Sequence, residues 1–194
     1  MNKVEIFDFD GTLVRSPTRS CVIHVPNVGK MQAEKLYDKW LADKKMPKRK
    51  WSGWFGRSET LLHPIFPRPL QKEMLIEEVA QRFLQSKENP DVHTVIMTGR
   101  HMGLMHYVLD ILFGYELLTK EDLKYQKVET QFFQRSKKTP ETLDWKKEKI
   151  FDYASNCKEI EIWEDRQEHV EAFIQFGEEL KELGLKSFVV NKVE

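Results

Sequence analysis

The sequence predicts an α/β protein, a three-layer Rossmann-like arrangement with one parallel sheet between two layers of helices. Three observations carry this reading. Short apolar, β-prone runs recur at Val4–Phe7, Thr94–Met97, Glu159–Trp163 and Ser187–Val190. From residue 91 onward helical periodicity fills the spaces between them, and such alternation calls for parallel strands joined by crossover helices. With 194 residues, 40% of them hydrophobic, the chain is long enough to bury the core of one domain spanning residues 1–194.

Each element has its own justification. Val4-Glu5-Ile6-Phe7 closes on Asp8-Phe9-Asp10-Gly11-Thr12, whose glycine marks a sharp exit from the strand. The stretch from Arg15 to about Asn89 separates two sheet strands by more residues than one crossover needs. Approximately residues 16–89 are therefore expected to form a small cap-like insertion above the sheet. Inside it, Met74 to Gln85 repeats apolar residues at helical spacing through Leu75, Val79 and Phe83, until Asn89-Pro90 breaks the pattern. The second sheet strand runs into Thr98-Gly99-Arg100. Met102 to Phe113 predicts a helix ended by Gly114. The following stretch has no clear pattern. Thr139-Pro140-Glu141-Thr142 reads as an N-cap with proline at the first helical position, opening a helix to about Ala154. The third strand ends in Glu164-Asp165-Arg166, and the next helix places Val170, Phe173, Ile174 and Leu180 on one face. Gly184 ends it before the last strand.

Composition excludes some functions. Lys+Arg and Asp+Glu both number 31, a formal net charge of +0, which argues against wholesale polyanion binding while leaving room for a local basic site. No window approaches the roughly 20 apolar residues that span a bilayer, and no signal-peptide pattern precedes the first strand, so a cytoplasmic protein is expected. Cys21 and Cys157 match no metal-ligand spacing and are expected to be reduced thiols.

In open parallel sheets ligands bind beyond the carboxyl ends of the strands, and three predicted strands end there in polar groups. Asp8 and Asp10, two apart, share a face if the backbone stays extended through Phe9. Carboxylates that close repel unless a cation or a proton separates them, which points to metal binding by one and partial protonation of the other. The alternative is that Asp10-Gly11 is simply a turn. Thr98-Gly99-Arg100, taken alone, is most often a capped turn; its weight comes from its place at a strand end.

Phe7-Asp8-Phe9-Asp10-Gly11-Thr12-Leu13 resembles the first motif of the haloacid dehalogenase (HAD) phosphohydrolases, and Thr98-Gly99-Arg100 resembles their second. The resemblance implies that Asp8 is the nucleophile, Asp10 the general acid/base, Thr98 the residue holding the transferring phosphoryl group, and a lysine its support. Among the lysines of the 137–149 stretch, Lys146 is expected to take that role, although a solvated helix face is the competing reading for each. Mg²⁺ is the implied cofactor, held by Asp8, Asp10, Asp165 and Glu164, with Glu164 either a direct ligand or standing behind one. Thr12, Gly99, Arg100, Lys147 and Arg166 are the expected phosphate-side partners; each arginine equally suits a carboxylate, and a surface salt bridge is the default for both.

A narrower resemblance rests on Trp51-Ser52-Gly53-Trp54-Phe55, on Thr142-x-x-Trp145-Lys146, and on Trp163-Glu164-Asp165-Arg166-x-x-His169-Val170-x-x-Phe173. These resemble the HAD domain of Swiss Army Knife RNA repair proteins. The late motif is also similar to Asp-Asp-Arg in the phosphatase half of polynucleotide kinase-phosphatases, with Glu164 replacing the first Asp. What this implies is phosphate removal from a nucleic-acid end during repair, an RNA 3′ terminus or 2′,3′-cyclic phosphate product above all, with separate repair enzymes as candidate partners. Residues 44–57 hold six Lys/Arg and no acid, and cations interleaved with aromatics suit single strands, with Arg49, Trp51 and Trp54 as contacts. Equally, Trp54 and Phe55 can pack the insertion while the lysines stay solvated. His101, His106 and His169 have no metal spacing and are expected to be structural or substrate-side hydrogen-bonders. Two alternatives stand beside the RNA reading: the same chemistry on nucleotides or small phosphomonoesters, and a silent domain that binds phosphorylated ends or a protein.

Overall fold

The computed structural model describes residues 2–25, 29–45, 53–136 and 141–194. Strand β1 (Lys3–Phe7) is followed by a two-stranded antiparallel ribbon, β2 (Val22–Val25) with β3 (Gly29–Gln32), and by helix α1 (Ala33–Asp43). Short 3₁₀ turns at Trp54–Gly56, Ser58–Leu61 and Lys72–Met74 lead to α2 (Glu77–Glu88). Then come β4 (Val92–His101), α3 (Met105–Gly114), α4 (Lys120–Lys124), β5 (Val128–Phe133), α5 (Thr142–Ala154), β6 (Glu159–Glu164), α6 (Gln167–Glu182) and β7 (Ser187–Lys192).

The main sheet has the order β5-β4-β1-β6-β7 and is parallel throughout. β1 lies at its centre because its apolar residues are covered on both faces, as a continuous run requires. Phe7 pairs in register with Ile96 on one side and Trp163 on the other. On one face Phe7 and Ile96 join Val79 and Phe83 of α2 and Val108, Ile111 and Leu112 of α3 in one core. On the other, Val4, Ile6, Val95 and Ile162 pack with Trp145 and Ile150 of α5 and Phe173 and Leu180 of α6. Three layers result, as the sequence predicts. The chain segment that joins β1 to β4 forms a third cluster of Ile23, Leu36, Tyr37, Leu41, Trp54 and Ile65. Among the described residues no helix is long and apolar enough to cross a membrane.

Several elements depart from expectation. α2 begins at Glu77, not Met74, because Lys72–Met74 forms a separate 3₁₀ turn. The same device, at Met102–Leu104, delays α3 to Met105. α5 is capped at Glu141 and starts at Thr142, while the expected Thr139-Pro140 cap lies outside the described residues. Ile174, expected to be buried with Val170 and Phe173, is 50% exposed. The patternless stretch holds α4, opened by a capping box between Thr119 and Asp122, and edge strand β5.

Candidate active site

The carboxyl end of β1 delivers the first acidic residues. Asp8 still donates its backbone N–H to the Trp163 carbonyl at 3.1 Å, so the extended geometry outlasts the strand by a residue. Phe9 is fully buried in the α2/α3 core, and its carbonyl accepts the Val14 N–H at 3.0 Å, which closes the loop. Gly11 turns that loop at φ +76°, and a Cβ there would overlap the Asp165 carboxylate. Glycine thus meets both a left-handed backbone and the close approach of the β1 and β6 loops.

The second cluster comes from β6 and α5. Lys146 lies one helical turn after Thr142, so α5 aims it back at the sheet. Its Nζ lies 3.2 Å from Asp8 Oδ1 and donates to Glu164 Oε2 at 2.7 Å, with the lysine side chain only 3% exposed. Glu164 is fully buried, with His169 Nδ1 3.2 Å from Oε2, and its Oε1 accepts the Arg166 N–H at 3.2 Å. One oxygen from each of Asp8, Glu164 and Asp165 falls within a 4.8 Å cluster.

Burial pushes the Asp8 carboxyl up, the Lys146 charge pulls it back, and Glu164 and Asp10 raise it again. Asp165 is lifted to about 6 by burial and by Glu164. Glu164 goes the other way. Burial works against its charge, but Lys146 and the His169 hydrogen bond hold it well below the usual carboxylate range. Lys146 resists its own burial through Asp8 and Glu164 and stays above the ordinary lysine range. The site therefore keeps one fixed ion pair, Lys146–Glu164, beside two carboxyls that favour a proton or a cation.

Asp10 is positioned separately, outside that acidic cluster. Arg100 donates from Nε to Asp10 Oδ2 at 2.8 Å and from Nη2 to Oδ1 at 2.6 Å, a two-pronged grip. Arg100 is 1% exposed and its guanidinium is committed to Asp10, so of the phosphate and carboxylate partners the sequence allows it, the structure shows a carboxylate. Thr98 is fully buried, and its Oγ1 accepts the Arg100 N–H at 3.2 Å. Gly99 lies against α5, where a Cβ would sit 2.8 Å from Thr142 Cγ2 and 3.8 Å from Arg166 Nη2. Arg166 is thereby placed beside the second motif, and its charge acts on Asp8 and Asp165. Thr12 is fully buried with its hydroxyl unpartnered.

Two expected contacts lie elsewhere. Lys147 points at the Phe176 ring, 5.5 Å from its centroid, on the α6 side of α5. Trp54 is buried edge-on against Tyr37, and its Nε1 donates to the Pro17 carbonyl at 2.7 Å, since a buried indole needs an acceptor. It packs in the third apolar cluster and is only 5% exposed. Arg49 and Trp51 lie outside the described residues. Of the groups around the site, Thr60 and the Phe55 carbonyl, both on Arg100, had no signal in the sequence, because that contact spans 40 or more residues.

Residues 30–194 match HAD domain family 1 in Swiss Army Knife RNA repair proteins. The chain belongs to that family. The match takes in the second motif, Lys146 and the Glu164-Asp165 end of β6, while Asp8 and Asp10 precede it. As a HAD domain it carries a phosphohydrolase-type fold. Two structures of the HAD domain of the effector protein Lem4 from Legionella pneumophila are similar to it, at 14% identity and a TM-score of 0.49. One, an inactive mutant, aligns over 98% of this chain and 84% of its own; the other over 100% and 86%. No curated protein sequence matches the chain.

Proposed function

We propose that this HAD domain is a Mg²⁺-dependent phosphomonoester hydrolase working through an aspartyl-phosphate on Asp8. The observation that carries the reading is the pair Asp8 and Asp165, which converge with Oδ1 atoms buried and without hydrogen-bond partners, beside a single lysine shared between Asp8 and Glu164. Hard carboxylate oxygens that make no hydrogen bond fit a hard divalent cation. Mg²⁺ on Asp8 and Asp165 would screen the approach of an anionic nucleophile to a phosphate dianion. Glu164, committed to Lys146 and His169, supports that set electrostatically.

The chain's own groups supply the remaining chemistry. An Asp8 oxygen attacks phosphorus while the ester bond breaks, and Asp10 gives its proton to the departing oxygen. Asp10 then takes a proton from water, which attacks the acylphosphate and regenerates the Asp8 carboxylate. Thr98 Oγ1 accepts from the Arg100 backbone, so its own proton is left for a phosphoryl oxygen. Lys146 and Arg166 place positive charge on the same oxygens.

The substrate we infer is a phosphorylated nucleic-acid end, RNA 3′ ends in repair above all. The family's RNA repair context and the acid-free basic stretch of residues 44–57 support it. Burial of Trp54 and Arg57 removes two of that stretch's contacts from solvent and favours the second reading, a nucleotide or small phosphomonoester. Comparing kcat/KM on 3′- and 5′-phosphorylated RNA and DNA oligonucleotides with mononucleotides and sugar phosphates separates them; higher values on the small substrates sink the RNA reading. Asp8→Asn is expected to lose Mg²⁺-dependent phosphate release by at least about a thousandfold. Equal release by mutant and wild type removes Asp8 as nucleophile.

A further inference from the structure

Between the β1 loop and the segment around residues 53–62, one buried guanidinium carries the connection. Nε and Nη2 of Arg100 hold both oxygens of Asp10, whereas both Nη1 protons go to that segment, to the Phe55 carbonyl at 3.0 Å and to Thr60 Oγ1 at 2.9 Å. The rings of Phe9 and Phe55 lie 5.9 and 5.3 Å from Arg100 Cζ. Thr60 is fully buried, and its hydroxyl donates to the Arg57 carbonyl at 2.7 Å. Its proton is spent there, so toward Arg100 it is an acceptor only.

We infer that Thr60 is a positioning residue for the proton transfer performed by Asp10, acting through Arg100. The inference rests on the reading of Asp10 as general acid/base. Physically, a two-pronged pair keeps carboxylate and guanidinium nearly coplanar, so whatever sets the guanidinium's rotation sets the direction in which Asp10 presents its oxygens. Phe55 O and Thr60 Oγ1 are the two acceptors that set it from the far edge. Losing one leaves a buried N–H unpaired, and the guanidinium regains an acceptor only by turning, which carries Asp10 with it. Residues some 40 positions before Arg100 thereby tune the chemical step without touching the phosphoryl group.

Leaving-group dependence tests this. An alkoxide needs a proton as it departs, whereas p-nitrophenolate hardly does, so a misaligned acid slows alkyl esters selectively. kcat/KM reports the transfer to Asp8, the step in which Asp10 gives up its proton. Thr60→Val keeps shape and removes the acceptor. Its kcat/KM for glycerol 2-phosphate should fall by about tenfold or more relative to wild type, while that for p-nitrophenyl phosphate stays within about threefold. Thr60→Ser should restore the wild-type ratio. Should the valine variant fail to fold, Thr60→Ala against Thr60→Ser gives the same comparison. Parallel loss on both substrates, or an unchanged ratio, overturns the positioning role. A wild type that hydrolyses neither ester overturns the phosphatase reading, and this inference with it.

Discussion

Lys146 is expected to bear on both stability and chemistry through a single ammonium group. With Glu164 at 2.7 Å and Asp8 at 3.2 Å, it is the central cation of a pocket from which water is nearly excluded. Removing one partner of a buried ion pair costs about 3–5 kcal/mol, since the remaining charge stays desolvated. Lys146→Met is therefore expected to lower the thermal midpoint by several degrees and to cut phosphate release by at least about a hundredfold. Calorimetry and a phosphate-release assay check the two halves; a variant as stable as wild type would show the ion pair to be dispensable. Residue type alone did not single out this group, since Lys147 adjoins it and a solvated helix face suits either; burial at 3% exposure separates them. Arg100 shows the opposite case. Its position after the second motif suits a phosphate or a carboxylate, and only the fold brings Asp10 within reach of Nε and Nη2.

At the scale of elements, α6 shows where periodicity stops being informative. Val170, Phe173, Ile174 and Leu180 all fall on one apolar arc, yet Phe173 is 1% exposed and Ile174 50%. Gly177 lets α6 approach β7 closely, since a Cβ there would meet the Phe188 ring, and this narrows the stripe that the sheet covers. Phe173→Ala is expected to cost about 3–5 kcal/mol. Ile174→Ala should stay within about 0.5 kcal/mol of wild type, the range of surface substitutions. Denaturant unfolding of both variants decides it, and equal costs would mean that Ile174 is covered in solution. β5 escaped the sequence reading for a related reason. As an edge strand it pairs with β4 alone, and Val128-Glu129-Thr130-Gln131 mixes polar residues into the run, so neither a continuous nor a strictly alternating pattern stands out.

For the molecule as a whole, Glu129 ties three elements together. His93 Nε2 of β4 lies 2.6 Å from Glu129 Oε2, and Tyr153 of α5 donates to Oε1 at 2.9 Å. Led by the His93 hydrogen bond, these contacts hold Glu129 down to about 2, against 4.5 for a free glutamate. The folded state thus binds fewer protons than the unfolded one between those values. Its stabilisation is full above about pH 4.5 and is lost as pH falls towards 2. With the side chain 35% exposed, solvent screening reduces the effect to about 1 kcal/mol. Glu129→Gln should lower the melting temperature at pH 7 and converge with wild type near pH 2; a difference that persists there contradicts the linkage. The zero net charge resolves in the same way into local parts. Residues 158–183 hold nine Asp/Glu against three Lys/Arg, opposite in sign to the acid-free stretch 44–57. The parallel sheet, its three layers and the acidic residues at the ends of its strands were legible from residue order, because apolar runs and turn glycines are local signals; the strand order was not. Which cation holds which carboxylate was not. Lys146 goes to Glu164 and Asp8, Arg100 to Asp10, and Trp54 to the Pro17 carbonyl, because burial leaves each polar group only the partners that distant segments bring within reach.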